Sequence, residues 1–218
     1  MPRSRFILSI TFLLCVISLF AQGRIARFQQ GIFLYSNWDA PGMALDTCLD
    51  KSITEVQIPE TIVVNGRSYP VWEIGPGAFN GCRNLKIVYF NHYVSPMMRS
   101  AFHNCPNLRV LVTPQAVPPK MEECHPFYGG KFADIFEPYH AQSVILVVPS
   151  GSEEAYRNTP GWKEFQNIQS TMPTEEQLNN GVIESRIGQL ENELQQAREH
   201  VRQLEVELDA LRRGIQSK

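Results

Sequence analysis

Ala78-Phe79-Asn80-Gly81-Cys82-Arg83-Asn84-Leu85 and Ala101-Phe102-His103-Asn104-Cys105-Pro106-Asn107-Leu108 are two copies of one motif. A shift of 23 residues places Ala on Ala, Phe on Phe, Cys on Cys, Asn on Asn and Leu on Leu. A short repeat cannot bury its apolar face alone, so successive copies must cover one another. Phe79 and Phe102 are then expected to stack along a core. Ala78 and Ala101 are small where coils approach, and Cys82 and Cys105 fill a small apolar slot. Asn84 and Asn107 suit a turn, because a short amide can bond nearby backbone before a strand begins.

The strand that follows each motif alternates. Leu85-x-x-Val88-x-Phe90 and Leu108-x-x-Leu111-x-Thr113 place alternate residues inward. Val56-Gln57-Ile58-Pro59 and Leu146-Val147-Val148-Pro149 repeat that ending, as does the proline after Thr113. The pattern predicts about four stacked strands, near residues 54–58, 86–90, 109–113 and 144–148. Phe33–Ser36 and Met43–Leu45 read as a hairpin ahead of them, and Asn65-Gly66 as a tight turn. Residues 114–140 read as an expanded, irregular coil. Ser150-Gly151-Ser152-Glu153-Glu154 reads as a helix N-cap. Trp162, Phe165 and Ile168 recur at threes, as one face of a short closing helix.

These residues resemble the BspA-like leucine-rich repeats of bacterial surface proteins. GAFNGCRNL and AFHNCPNL carry the repeat, IPETIVVNGRSYPVWEIGPGAF its lead-in and ILVVPSGSEEAYRNTPGWKEFQNI its closing segment. The resemblance covers roughly residues 31–168, and MMRSAF departs from it by lacking the Ile-Gly found at Ile74-Gly75. It implies an α+β fold, a short right-handed leucine-rich-repeat solenoid, in an exported or surface binding or adhesion module. It brings no catalytic residues.

After Pro173 the pattern changes. Ile183, Ile187, Leu190, Leu194, Ala197, Val201, Leu204, Leu208, Leu211 and Ile215 alternate at fours and threes. That is the seam of a coiled coil, with Ile187, Leu194, Val201, Leu208 and Ile215 at "a" and the others at "d". In a parallel dimer the flanking pairs are Arg186–Glu191, Glu193–Arg198, His200–Glu205 and Glu207–Arg212, none of them repulsive. The oligomerisation residues are expected to be Ile183, Ile187, Leu190, Leu194, Val201, Leu204, Leu208 and Leu211. A single amphipathic helix lying on the domain is the alternative.

Charge is divided in the same way. Charged residues are 19% of the chain, but 12 of the 42 lie between Ile183 and Arg213, so the remainder is charge-poor. A net charge of −2 without a basic face excludes an electrostatic nucleic-acid binder. Arg3, Arg5, the apolar run Phe6–Phe20 and Ala21-Gln22-Gly23 read as a secretory signal. Its loss leaves 18 basic and 22 acidic residues, a net −4 with no membrane span. The expected organisation is a signal at 1–22, the repeat domain with N-terminal hairpin and C-terminal cap at 23–170, a linker at 171–182 and the coil at 183–216. Cys48 and Cys124 are a possible disulfide that nothing in the sequence decides.

The outward strand positions are Glu55, Gln57, Ile87, Tyr89, Val110, Val112, Ile145 and Val147. Six of the eight are apolar, and Ile87, Tyr89, Val110, Val112, Ile145 and Val147 form the candidate partner-binding face. The opposing reading is strand propensity, or cover by residues 114–140. Glu122-Glu123-Cys124-His125 has no second ligand pair at a metal-binding spacing. His92, His103 and His140 have no visible nucleophile and acid beside them, and no motif for phosphate or acyl chemistry occurs. The expected protein is therefore an exported, non-catalytic module without cofactor or metal. It presents a repeat face to a protein or glycan and is dimerised by its coil, at the cell surface, in the periplasm or secreted. The alternatives are a structural envelope protein whose coil docks another partner, and a glycan- or peptide-processing hydrolase.

Overall fold

Alternating apolar side chains divide the first half of the chain into short strands. The computed structural model describes residues 27–37, 42–95, 97–119, 121 and 132–216. The export segment 1–22, the Glu122–His125 group with Cys124, and the side chains of Leu211 and Ile215 lie outside the described residues. The first sheet contains β1 (Arg27–Gln30), β2 (Phe33–Ser36) and β3 (Met43–Cys48), with β1 and β3 antiparallel to β2. After β4 (Glu55–Gln57), the hairpin of β5 (Thr61–Val64) and β6 (Arg67–Ile74) completes that sheet in the order β1-β2-β3-β6-β5. Asn65 and Gly66 turn the hairpin at φ 50° and 75°, the left-handed pair that matches strand twist.

The second sheet is the solenoid. β4, β7 (Ile87–Tyr89), β8 (Val110–Val112), β9 (Ile145–Val147) and β10 (Asn167–Gln169) lie side by side, all parallel. Register is unbroken: Val56, Val88, Leu111, Leu146 and Ile168 form one inward row. All five are buried. This is a leucine-rich-repeat-like parallel sheet, and the four expected strands are its first four. The fifth corrects the sequence expectation. Trp162–Glu164 is a 3-10 turn, and Ile168 belongs to β10 instead of a helix face. The edge of β9 would otherwise present unpaired backbone groups, and β10 satisfies them.

Aromatic rings run through the stack. Phe79 and Phe102 stack at 5.3 Å and 6°, and Phe102 stacks on Phe136 at 5.1 Å and 4°. Phe136 is thus a third copy of the repeat phenylalanine, inside the expanded coil. The backbone agrees, because Phe79 N–H donates to Ala101 O and Phe102 N–H donates to Ile135 O. Phe33 closes the column at one end at 6.2 Å and Phe165 at the other at 5.3 Å, both edge-on. Asn107 donates to Arg83 O at 2.7 Å, so its amide ties two coils and does not serve its own turn.

The irregular coil contains α1 (Phe132–Ile135) and α2 (His140–Ser143). α3 (Glu153–Asn158) begins the cap. Ser152 stands at its N-cap, but its hydroxyl donates back to Pro149 O. Tyr156 Oη donates to Gln115 O at 2.8 Å and Trp162 Nε1 to Pro119 O at 2.6 Å, anchoring the cap on the expanded coil. The final element, α4 (Glu175–Gln216), is one helix of 42 residues. It starts inside the stretch expected to be a linker.

Candidate functional site

The outward rows of the solenoid sheet are Glu55, Ile87, Val110, Ile145 and Asn167, and Gln57, Tyr89, Val112, Val147 and Gln169. The six candidate partner residues therefore share one face, as the spacing requires. That face is not open along its whole length. Val110, Ile145 and Val147 are buried, while Ile87, Tyr89 and Val112 are half-buried. Val110, Ile145 and Val147 form a small apolar cluster, with Ile87, Val112 and Leu178 packed against it. Leu178 belongs to the first turn of α4. The chain's own C-terminal helix therefore covers part of the face; residues 114–140, the cover considered from the sequence, lie partly outside the described residues. Glu55, Gln57, Ile87 and Tyr89 remain at the uncovered end, where burial and the neighbouring Glu55 raise the Tyr89 phenol.

Two glycines let the helix approach. A Cβ on Gly181 would sit 2.7 Å from Ser143 O and 3.3 Å from Arg109 Cδ. A Cβ on Gly188 would sit 2.1 Å from Tyr139 Cβ. Neither distance is compatible with a side chain unless the backbones separate. The two positions are seven residues apart, two turns on the same side of α4. Gln189 Nε2 also reaches Pro106 O at 3.4 Å. Beneath the helix lies Arg109, 6% exposed, with Nη1 on Pro106 O at 2.9 Å and Leu108 O at 2.7 Å. Burial lowers its guanidinium to about 10. Two carbonyl acceptors offset part of that desolvation, and no hydrogen bond reaches its Nε.

Docking leaves the heptad seam outside. Leu178, Gly181, Gly188 and Gln189 fall at heptad positions f, b, b and c, the back of a coiled-coil helix. Ile183, Ile187, Leu190, Leu194, Val201, Leu204 and Leu208 are 45 to 57% exposed. These large apolar side chains form one half-exposed row along the described part of the helix. No signal in the pattern of apolar residues pointed to the docked face, because it is written in glycines and one leucine.

Between α4 and the strand edge runs a groove of about 510 Å³, lined by polar residues including Gln142, Ser143, Asn167, Asn180 and Glu184. The histidines are placed elsewhere. His92 Nδ1 is 2.6 Å from Glu60 Oε1 on the surface. His140 is wholly buried, with its ring on Cys105 O and Glu137 N, and burial holds it down at about 3, so it stays neutral. Among the described residues no three His, Cys, Asp or Glu side chains group as metal ligands, and no helix is long and apolar enough to cross a membrane.

No family model and no curated protein matches the chain. Solved structures do. A leucine-rich cell surface protein from Faecalibacterium prausnitzii is 21% identical with a TM-score of 0.39, over 43% of this chain and 25% of that one. A leucine-rich repeat protein from Bacteroides capillosus is 24% identical with a TM-score of 0.36, over 43% of this chain and 78% of that one. The leucine-rich repeat protein of T. pallidum is 15% identical with a TM-score of 0.32, over 67% of this chain and 83% of that one. This chain thus spans a quarter of the length of the first.

Proposed function

We propose that this chain is an exported, non-catalytic binding or adhesion module, held as a homodimer by its C-terminal helix. One observation carries the dimer: the heptad seam is exposed while the back of the same helix is docked on the solenoid. A helix serving only as a cover would turn its large apolar residues inward and its glycines outward. Here the arrangement is reversed. The matched pairs Arg186–Glu191, Glu193–Arg198, His200–Glu205 and Glu207–Arg212 fit a second copy in parallel register. Exposed pairs stabilise by only about 0.2–1 kcal/mol each, so they set register more than affinity.

The partner surface is the uncovered end of the sheet, where Ile87 and Tyr89 lie beside Glu55 and Gln57. A protein or glycan there would meet a tyrosine edge rimmed by polar groups, a composition common in recognition surfaces. Val110, Ile145 and Val147 serve that surface indirectly, by seating the helix.

Sedimentation of the chain from residue 23 tests the dimer. The wild type is expected to sediment as a dimer at micromolar concentration, and the double variant Leu194→Glu/Leu204→Glu as a folded monomer. A wild-type monomer under those conditions rejects the pairing.

A further inference from the structure

We propose that the groove at the junction of α4 and the solenoid is a binding site for a neutral saccharide, which bonds to both walls and fastens the helix to the repeat domain. The groove lies apart from the Ile87–Tyr89 surface and stands whether or not that surface binds a partner. One wall belongs to α4. Gln177, Asn180, Gly181 and Glu184 follow one another at intervals of three, one and three, so they share one face of the helix. The opposite wall is the end of the solenoid, with Gln142 and Ser143 on α2 and Asn167 on β10. The space between them is about 510 Å³, within the range of about 300–1,000 Å³ usual for small-molecule sites.

The lining selects the ligand. Most small-molecule sites are walled by apolar side chains. Here carboxamides dominate, and Ile145 is the one large apolar residue. Each carboxamide offers a carbonyl acceptor and an NH2 donor, and each sugar hydroxyl likewise accepts and donates. The walls are held in place. Gln166 N–H donates to Ala141 O and Asn167 Nδ2 to Gln142 O, both at 2.8 Å, which ties β10 to α2. Gln177 Nε2 donates to Gln169 Oε1 at 3.0 Å, and its Oε1 accepts from Thr174 N–H at 2.9 Å. The side-chain amides of Gln142, Gln166 and Asn180 bond to no other described residue, so their donors and acceptors are left for a ligand. Ser143 is 1% exposed, and its hydroxyl has no hydrogen-bond partner among the described residues. Folded proteins leave few buried polar groups unpaired, and a bound molecule is one way of completing them.

Charge and shape argue against other ligands. Glu184 is the one charged side chain of the lining, so an anion would meet repulsion and no cation to pair with. Arg109 lies behind Gly181, with Nη1 engaged by two carbonyls, and is not part of the lining. A peptide would need apolar recesses for its side chains, and Ile145 alone supplies little. The groove has its two walls only while α4 is docked, with Gly181 seated on Ser143 O. A ligand bonded to both walls therefore binds the docked state in preference, and docking and binding strengthen one another by the same factor.

The chain from residue 23, which holds all the described residues, is titrated by calorimetry with maltose, cellobiose, lactose and N,N′-diacetylchitobiose. Glucuronic acid and trialanine are the controls. At least one of the disaccharides is expected to bind with a Kd of about 1 mM or tighter, and the controls about tenfold more weakly. Asn180→Ala and Gln142→Ala, both at exposed positions, should keep the melting temperature and weaken that sugar about tenfold each. Glu184→Gln should narrow the gap between the sugar and glucuronic acid. In amide exchange of the wild type, which needs no variant to fold, the sugar should add protection from Glu175 to Glu184 and in α2, and none in β4 or β7. Absence of binding by all four disaccharides at about 10 mM overturns the proposal. So does binding that both alanine variants leave unchanged, protection confined to β4 and β7, or a preference for glucuronic acid or trialanine.

Discussion

At the scale of the residue, the solenoid depends on a column of rings whose central member is Phe102, stacked between Phe79 and Phe136. Phe102→Ala removes both stacking contacts and leaves a hole between coils that cannot close without breaking strand register. A loss of about 3–5 kcal/mol is expected in urea unfolding, against less than half that for Phe102→Leu. A similar small loss for both variants would show that the column does not bear the core. Phe79 and Phe102 were legible in the sequence because identical neighbours surround them. Phe136 was not. Its coil is longer than 23 residues, and Ile135 stands where the other copies have alanine. A second residue-scale consequence concerns Glu73, which is 9% exposed. Burial and the nearby Asp46 raise its carboxyl to about 7. A carboxyl whose folded value exceeds its unfolded value binds more protons in the folded state between the two. Stability from this group is therefore full below the unfolded value of about 4.5 and falls as pH rises through about 7. Glu73→Gln should flatten that decline, so that melting temperatures of variant and wild type diverge between about pH 5 and pH 8, the variant being the more stable at the upper end. Parallel curves would remove the assignment.

At the scale of the element, α4 docks one face on the solenoid and leaves its row of large apolar residues exposed. Glycine inside a helix normally costs about 1 kcal/mol relative to alanine, so Gly181 and Gly188 weaken the isolated helix. Their compensation is contact, since the backbone at Gly188 reaches Tyr139 as no side-chain-bearing residue could. Gly188→Ala should therefore raise intrinsic helicity and yet release the first turns from the solenoid. In amide exchange the variant should lose protection from Glu175 to Gln189 and keep it in β7 and β8. Unchanged protection in the first turns would mean that the docking is not needed to order them. The long helix was readable without a structure, because the apolar residues recur at threes and fours along it. The docked face was not, because a glycine carries no mark of the partner it admits. The same holds for β10. Its spacing of threes imitates a helix, and only the unpaired edge of β9 makes it a strand.

At the scale of the molecule, docking and pairing are compatible because they use opposite sides of one helix. Beyond Gln189 the rod projects for about 40 Å at 1.5 Å per residue. Two copies paired along it would carry their solenoids on the outside of the pair, each with its Ile87–Tyr89 end free. Two linked faces can raise avidity by about 10²–10⁴ without any new contact, where both can engage at once. Small-angle scattering from the dimer should accordingly give two separated lobes at one end of a rod, and a single compact maximum would contradict this geometry. The parallel neighbours β4, β7, β8 and β9 were legible from the repeats. How the solenoid and the helix meet was not, because that contact joins residues far apart in the chain through backbone shape. The glycine seat has one more consequence. It fixes the azimuth of the rod on the solenoid, so the direction in which the seam looks is a phase, set by the number of residues between Gly188 and Leu194. One residue inserted there would swing every later seam position by about 100° about the helix axis, while seven would restore it almost fully. Length changes in that interval act as turns of a dial, and the spacing of the two solenoids in a pair is inherited from that single angle.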